Sequence, residues 1–78
     1  MFDEKEVHIV IDLLRNEYKN LIITFVKNDL DFLRLSIFTN NLPIKYVIEK
    51  VKNILSKYIV VYEFEYGNPI LLIQKYNI

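Results

Sequence analysis

Cysteine does not occur in this chain of 78 residues. Its absence excludes disulfide staples, thiolate catalysis and cysteine–zinc sites, and leaves the redox compartment open. Alanine is also missing, and glycine occurs once. One glycine does not build a phosphate-cradling loop of the Walker or dinucleotide type, which needs several. Neither sign of charge dominates. Ten basic and ten acidic residues cancel, which removes the usual electrostatic footprint of a non-specific nucleic-acid binder. No apolar run approaches the ~20 residues that span a bilayer. The stretch MFDEKEVH is acidic rather than basic and carries no targeting pattern. The expectation is a soluble, cytoplasmic protein.

What is abundant is apolar surface, at 53% of residues. A chain of this length makes one domain and buries only about 60% of its unfolded surface. The apolar content therefore exceeds what a small monomer hides easily, and nothing covalent staples the fold. Either the core is unusually efficient or part of that surface meets a partner. Ile, Asn, Lys, Tyr and Phe make up about half the chain. Their codons are AT-rich, which points to an AT-rich genome, such as a thermophilic archaeon or a virus or plasmid within one. By analogy alone, small proteins of such replicons serve as regulators or inhibitors.

In DEKEVHIVIDLLRNEYKN, the residues Val7, Val10, Ile11, Leu14 and Tyr18 recur at helical spacing, widened by Ile9 and Leu13. Asp3 suits an N-cap, Glu4 and Glu6 suit the first turn, and Asn20 suits a stop. LIITFVK and DFLRLSIF flank the turn formers Asn28 and Asp29, a β-hairpin pattern. After TNNLP, Pro43 is placed for the first turn of a second helix. There Ile44, Val47, Ile48, Val51, Ile54, Leu55 and Tyr58 form a stripe, with Lys45, Lys50, Lys52 and Lys57 off it. IVVYEFEY and ILLIQKY flank GNP, a second hairpin, where the only glycine supplies positive φ.

The order α-β-β-α-β-β uses an αββ unit twice in one domain, residues 1–78, with units at roughly 3–41 and 43–78. The economical packing is a two-layer α+β sandwich with two helices on one face of a four-stranded antiparallel sheet. If the hairpins meet through their second strands, the sheet order is 1-2-4-3. That is a circularly permuted ferredoxin-like arrangement, inferred from element order alone.

In the second hairpin, a two-residue loop of Gly67 and Asn68 pairs Phe64 with Leu71 and Tyr62 with Ile73. These four and Val60 then face the helices, leaving Glu63, Glu65, Ile70, Leu72, Gln74 and Tyr76 on the open face. The two glutamates suit an edge strand. In the first hairpin Leu33, Leu35 and Ile37 point inward. A three-residue loop sends Leu21, Ile23 and Phe25 inward too; a two-residue loop flips that strand.

The open face of the central strands thus reads Phe32, Arg34, Ser36 and Phe38 beside Ile70, Leu72, Gln74 and Tyr76. A buried aromatic hides about 150–250 Å². At ~25 cal/mol/Å², leaving each phenylalanine wet forgoes a few kcal/mol. The leading interaction surface is accordingly Phe32, Arg34, Phe38, Ile70, Leu72 and Tyr76. Three occupants are weighed: a second copy in an isologous dimer, a different protein such as a host protein, or nucleobases stacked on the sheet. The last needs cations, and only Arg34, Lys27 and Lys75 stand near, against Glu63 and Glu65. A second route to nucleic acid is the helical face with Lys45, Lys50, Lys52 and Lys57, which Glu49 interrupts.

Catalytic candidates are few. The sole histidine, His8, lies at i±4 from Glu4 and Asp12, with Arg15 nearby. Three ligands along one helical ridge span about 12 Å, too far for one ion. Ser36 and Ser56 have no local histidine partner. Turn chemistry accounts for Asp29 and Asp31, and Glu63 with Glu65 is a weak Mg²⁺ signal. No catalytic residue, metal site or cofactor is assigned. The expectation is a non-enzymatic interaction module, a homodimer through the open sheet face, with a nucleic-acid-binding module as the alternative.

Overall fold

The computed structural model describes residues 2–39 and 42–76. In chain order the elements are α1 (Glu4–Glu17), β1 (Ile22–Asn28), β2 (Leu33–Phe38), α2 (Ile44–Ile54), β3 (Tyr58–Glu65) and β4 (Asn68–Lys75). Asn40 and Asn41 of the TNNLP loop, and Asn77 and Ile78 at the end of the second αββ unit, lie outside the described residues.

Helix α1 begins with a full capping box. The Asp3 carboxylate accepts from the Glu6 N–H at 2.7 Å, and the Glu6 carboxylate accepts from the Asp3 N–H at 3.1 Å. Two N–H groups that the helix leaves without partners are satisfied at once. Val10, Ile11 and Leu14 make the buried stripe. The helix stops at Glu17, short of Asn20, because Tyr18 leaves the helical basin (φ −136°, ψ 78°) and turns its ring into the core. Its N–H still donates to Leu14 O, and the Leu21 N–H bonds back to Tyr18 O.

Pro43 is the N-cap of α2 rather than a residue of its first turn, with an extended ψ of 128°. Val47, Ile48 and Val51 are the buried face. The helix ends at Ile54, so Tyr58 opens β3 instead of closing the helical stripe. The β-branched run Ile59, Val60, Val61 favours strand from this point. The Tyr58 ring instead meets Phe2, centroids 5.7 Å apart.

The sheet order is β1-β2-β4-β3, and all neighbours are antiparallel. This is the two-layer α+β sandwich expected from element order, compatible with the permuted ferredoxin-like description. The two central strands come from different hairpins. Leu33, Leu35 and Ile37 of β2 with Leu71 and Ile73 of β4 face the helices and join Val10, Leu14, Val47 and Val51 in one core.

Both hairpin registers differ from the simplest expectation. The β3–β4 loop is Tyr66–Gly67, not Gly67–Asn68, and pairs Phe64 with Pro69, Tyr62 with Leu71 and Val60 with Ile73. The reason is Pro69. A Gly67–Asn68 loop would put it in the hydrogen-bonded pair flanking the turn, where an N–H is required and proline has none. The slip is two residues, so every side chain keeps its face. Tyr62 and Phe64 keep the side of Val60 but, unlike it, are exposed. Both loop residues have positive φ, 53° at Tyr66 and 80° at Gly67.

The first hairpin closes through a four-residue loop, Asp29–Phe32, and β1 is irregular between Ile23 and Phe25. Ile23 pairs with Ile37 on the core side; past the bulge at Thr24, Phe25 pairs with Ser36 on the open side. Leu21 and Ile23 therefore point inward as a three-residue loop implies, but Phe25 does not. One extra residue reverses the alternation.

The two layers are tied at their rim by Lys75 Nζ, at the end of β4, bonding Glu6 Oε1 at 2.6 Å. That hydrogen bond, and the one from the Asp3 N–H, hold the Glu6 carboxyl below its ordinary value of 4.5. A carboxyl whose folded value lies below its unfolded one stabilises the fold above the unfolded value. The contribution is lost as pH falls through the folded value. In thermal melts on acidification, Glu6→Gln should therefore start lower at neutral pH and lose less below about pH 5 than the wild type. Parallel curves for the two proteins would refute this.

Candidate functional site on the open sheet face

The helices cover one face of the sheet only. The other face is built by alternation along each strand: Ile22, Phe25 and Lys27 from β1, Arg34, Ser36 and Phe38 from β2, Ile70, Leu72 and Gln74 from β4, and Ile59, Val61, Glu63 and Glu65 from β3.

Arg34 organises it. Its Nη1 lies 3.1 Å from Glu65 Oε2, and its Nε lies 3.5 Å from Asp29 Oδ2. Its guanidinium carbon sits 5.6 Å from the centroid of the Phe32 ring. Asp29 is shared with Lys27, at 3.5 Å. β2 and β3 are not neighbours, so the Arg34–Glu65 pair must cross β4. The registers place Ile70 between the two partners, opposite Ser36 and Glu63.

That crossing corrects one expectation. Ile70 is not part of an exposed patch: it is 4% accessible on the open side of the sheet, outside the helix-side core cluster. Leu72, also in the centre, is half-buried. Phe32 lies in the loop before β2, half-buried beneath Arg34. Phe38 is 53% exposed, and Tyr76, one residue past β4, is exposed as well.

Of the six expected residues, Phe38 and Tyr76 are thus exposed, Phe32, Arg34 and Leu72 half-buried, and Ile70 buried. One hollow of about 560 Å³ is lined by Phe25, Arg34, Ser36, Phe38, Glu65 and Tyr66 among others. A second, of about 500 Å³, lies near Phe32, with Leu30, Ile59 and Gln74 on its walls. Leu72 and Tyr76 line neither.

Sequence reasoning missed Phe25, Ile22 and Tyr66. Phe25 is 56% exposed and Ile22 is 49% exposed, and both stand on the Phe38 side of the sheet. The bulge that brings Phe25 there leaves no motif in LIITFVK. Tyr66, by contrast, was signalled by Pro69, which forces the turn back by one residue.

The lysine face of α2 is narrower than its sequence suggests. Lys45 and Lys52 share a ridge, while Lys50 is about 140° around the helix at 100° per residue. Its Nζ lies 4.4 Å from the Tyr18 ring centroid, between the helices. Lys57 follows the helix in the turn before β3. On α1, His8 is exposed on the outer stripe with Glu4 and Asp12. Among the described residues, no three His, Cys, Asp or Glu side chains group so as to hold a metal ion. Among them, too, no helix is long and apolar enough to cross a membrane.

No protein-family model, curated protein or solved structure matches this chain.

Burial separates residues that hold the fold from residues that hold a surface. Ile70→Ser should destabilise the protein by about 2–4 kcal/mol, because it removes buried methylenes and buries a hydroxyl. Phe38→Ser on the same face should cost folding about 1 kcal/mol or less. Urea unfolding of the two variants checks the contrast, and equal losses would refute this assignment.

Proposed function

We propose that this protein is a non-enzymatic interaction module that buries its open sheet face against a second copy of itself. The observation that carries the proposal is the cluster of Phe25, Phe38 and Ile22, each about half exposed on the face the helices leave uncovered. Contiguous exposed apolar surface rimmed by polar groups marks a binding surface.

A second copy fits the charge. Basic Lys27 and Arg34 and acidic Glu65 line the same hollow, and the chain has no net charge. Such a surface is its own electrostatic complement, as an isologous contact requires. It also fits the size. The molecule measures 35 × 26 × 20 Å. A stable complex takes about 800 Å² from each partner, and the open face draws on residues from all four strands.

The role that follows is stoichiometric binding, of the kind a regulator or inhibitor performs, with the helix surfaces free for a second partner. For nucleic acid, the aligned cations on α2 reduce to Lys45 and Lys52, with Glu49 between them along the helix.

Light scattering on a sizing column tests this reading. The wild type should run as a dimer that tolerates salt, and Phe25→Ser with Phe38→Ser should run as a folded monomer. A monomeric wild type at tens of micromolar would overturn the homodimer. RNA or DNA binding that falls steeply with salt and is lost in Lys45→Glu with Lys52→Glu would put a nucleic-acid module in its place.

A further inference from the structure

We infer that Tyr66 is the anchor of this self-association, its ring entering the Phe25–Phe38 hollow of the second copy; the inference rests on the homodimer proposed above. Two independent observations meet at this residue. The first is backbone conformation. Tyr66 is the only non-glycine residue with positive φ among those described, at 53°. It holds the first central position of a two-residue hairpin turn, where asparagine, aspartate or glycine is the favourable choice. An aromatic ring there works against the fold. The second is exposure. At 97%, Tyr66 is the most exposed large hydrophobic side chain among the described residues. The monomer gains nothing from its ring by burial, and its turn is made worse by it.

Gly67, its neighbour in the turn, shows the contrast. A Cβ at Gly67 would meet nothing within 4 Å, and the residue is required only by its φ of 80°. The turn thus has glycine where backbone alone matters and tyrosine where a side chain is displayed.

The place of display is specific. Tyr66 stands at the rim of the 560 Å³ hollow whose walls include Phe25, Phe38, Ser36 and Arg34. With a two-fold axis near that rim, the ring of each copy leaves its own hollow and enters the other. The two contacts are then identical, as closure of a dimer demands. Inside, the ring meets the faces and edges of two phenylalanines and the guanidinium of Arg34, the environment in which tyrosine contributes most to an interface.

The deciding variant is Tyr66→Asn, which places the best residue for this turn at the strained position. Association and folding should move in opposite directions. The dimer should dissociate at least about tenfold more readily, as loss of an interface anchor implies. The thermal midpoint, measured dilute enough that both proteins are monomeric, should hold or rise. Tyr66→Phe, which keeps the ring, should dimerise within about threefold of wild type, a shift under 1 kcal/mol. If Tyr66→Asn dimerises as tightly as wild type while Phe25→Ser with Phe38→Ser is monomeric, Tyr66 is not the anchor and the open-face dimer stands. If the wild type is itself monomeric, both readings fall. A Tyr66→Asn protein that loses folding and association together would make Tyr66 a structural residue and overturn the inference.

Discussion

The pairing of β2 with β4 is the constraint from which the rest of this structure follows. These strands belong to different hairpins, and their contact places fully buried Leu33 and Leu35 beside Leu71 and Ile73. Only when they lie together is there a continuous apolar surface for two helices to cover. The helices then complete the core with Val10, Leu14, Val47 and Val51, all inaccessible to solvent. Two helices suffice for one face of a four-stranded sheet and no more. Among the described residues no further element covers the opposite face, and Phe25 and Phe38 are exposed there.

Arg34 modifies that outcome without reversing it. By reaching Glu65 across β4 and resting over Phe32, it shields Ile70 and divides the open face into two hollows. Ion pairs this exposed contribute little to stability on their own. Their effect is geometric: they cover Ile70 in the centre of the sheet, while Ile22, Phe25 and Phe38 at one end and Ile59 and Val61 on β3 stay exposed. A surface so arranged combines apolar side chains with both signs of charge.

The bulge in β1 and the β3–β4 turn lie toward the same end of the sheet. The bulge at Thr24 turns Phe25 outward beside Phe38, and Pro69 moves the β3–β4 turn so that Tyr66 rises at the rim of the same hollow. The first is a departure from regular pairing and the second a turn with positive φ at Tyr66, and each brings an aromatic ring to the Phe25–Phe38 hollow. Bulges and strained turns gather where a protein displays side chains, since elsewhere a regular strand is more stable.

Much of this was legible in the sequence because it depends on neighbours along the chain. Helical spacing marked the faces of both helices, Asp3 marked an N-cap, and turn formers marked two hairpins; the sheet order followed once the hairpins were taken to meet through their second strands. Phe38 could be assigned to the open face because β2 alternates without interruption. What the sequence left open was decided by contacts between strands. The reversal at Thr24 answers to its cross-strand partners and to a four-residue loop, so Phe25 carries no local sign of the face it occupies. The burial of Ile70 depends on Arg34 and Glu65, which approach only when three strands are side by side. Alternation is written in the order of residues, whereas register and cover arise from partners distant in the chain, and those only the tertiary structure brings together.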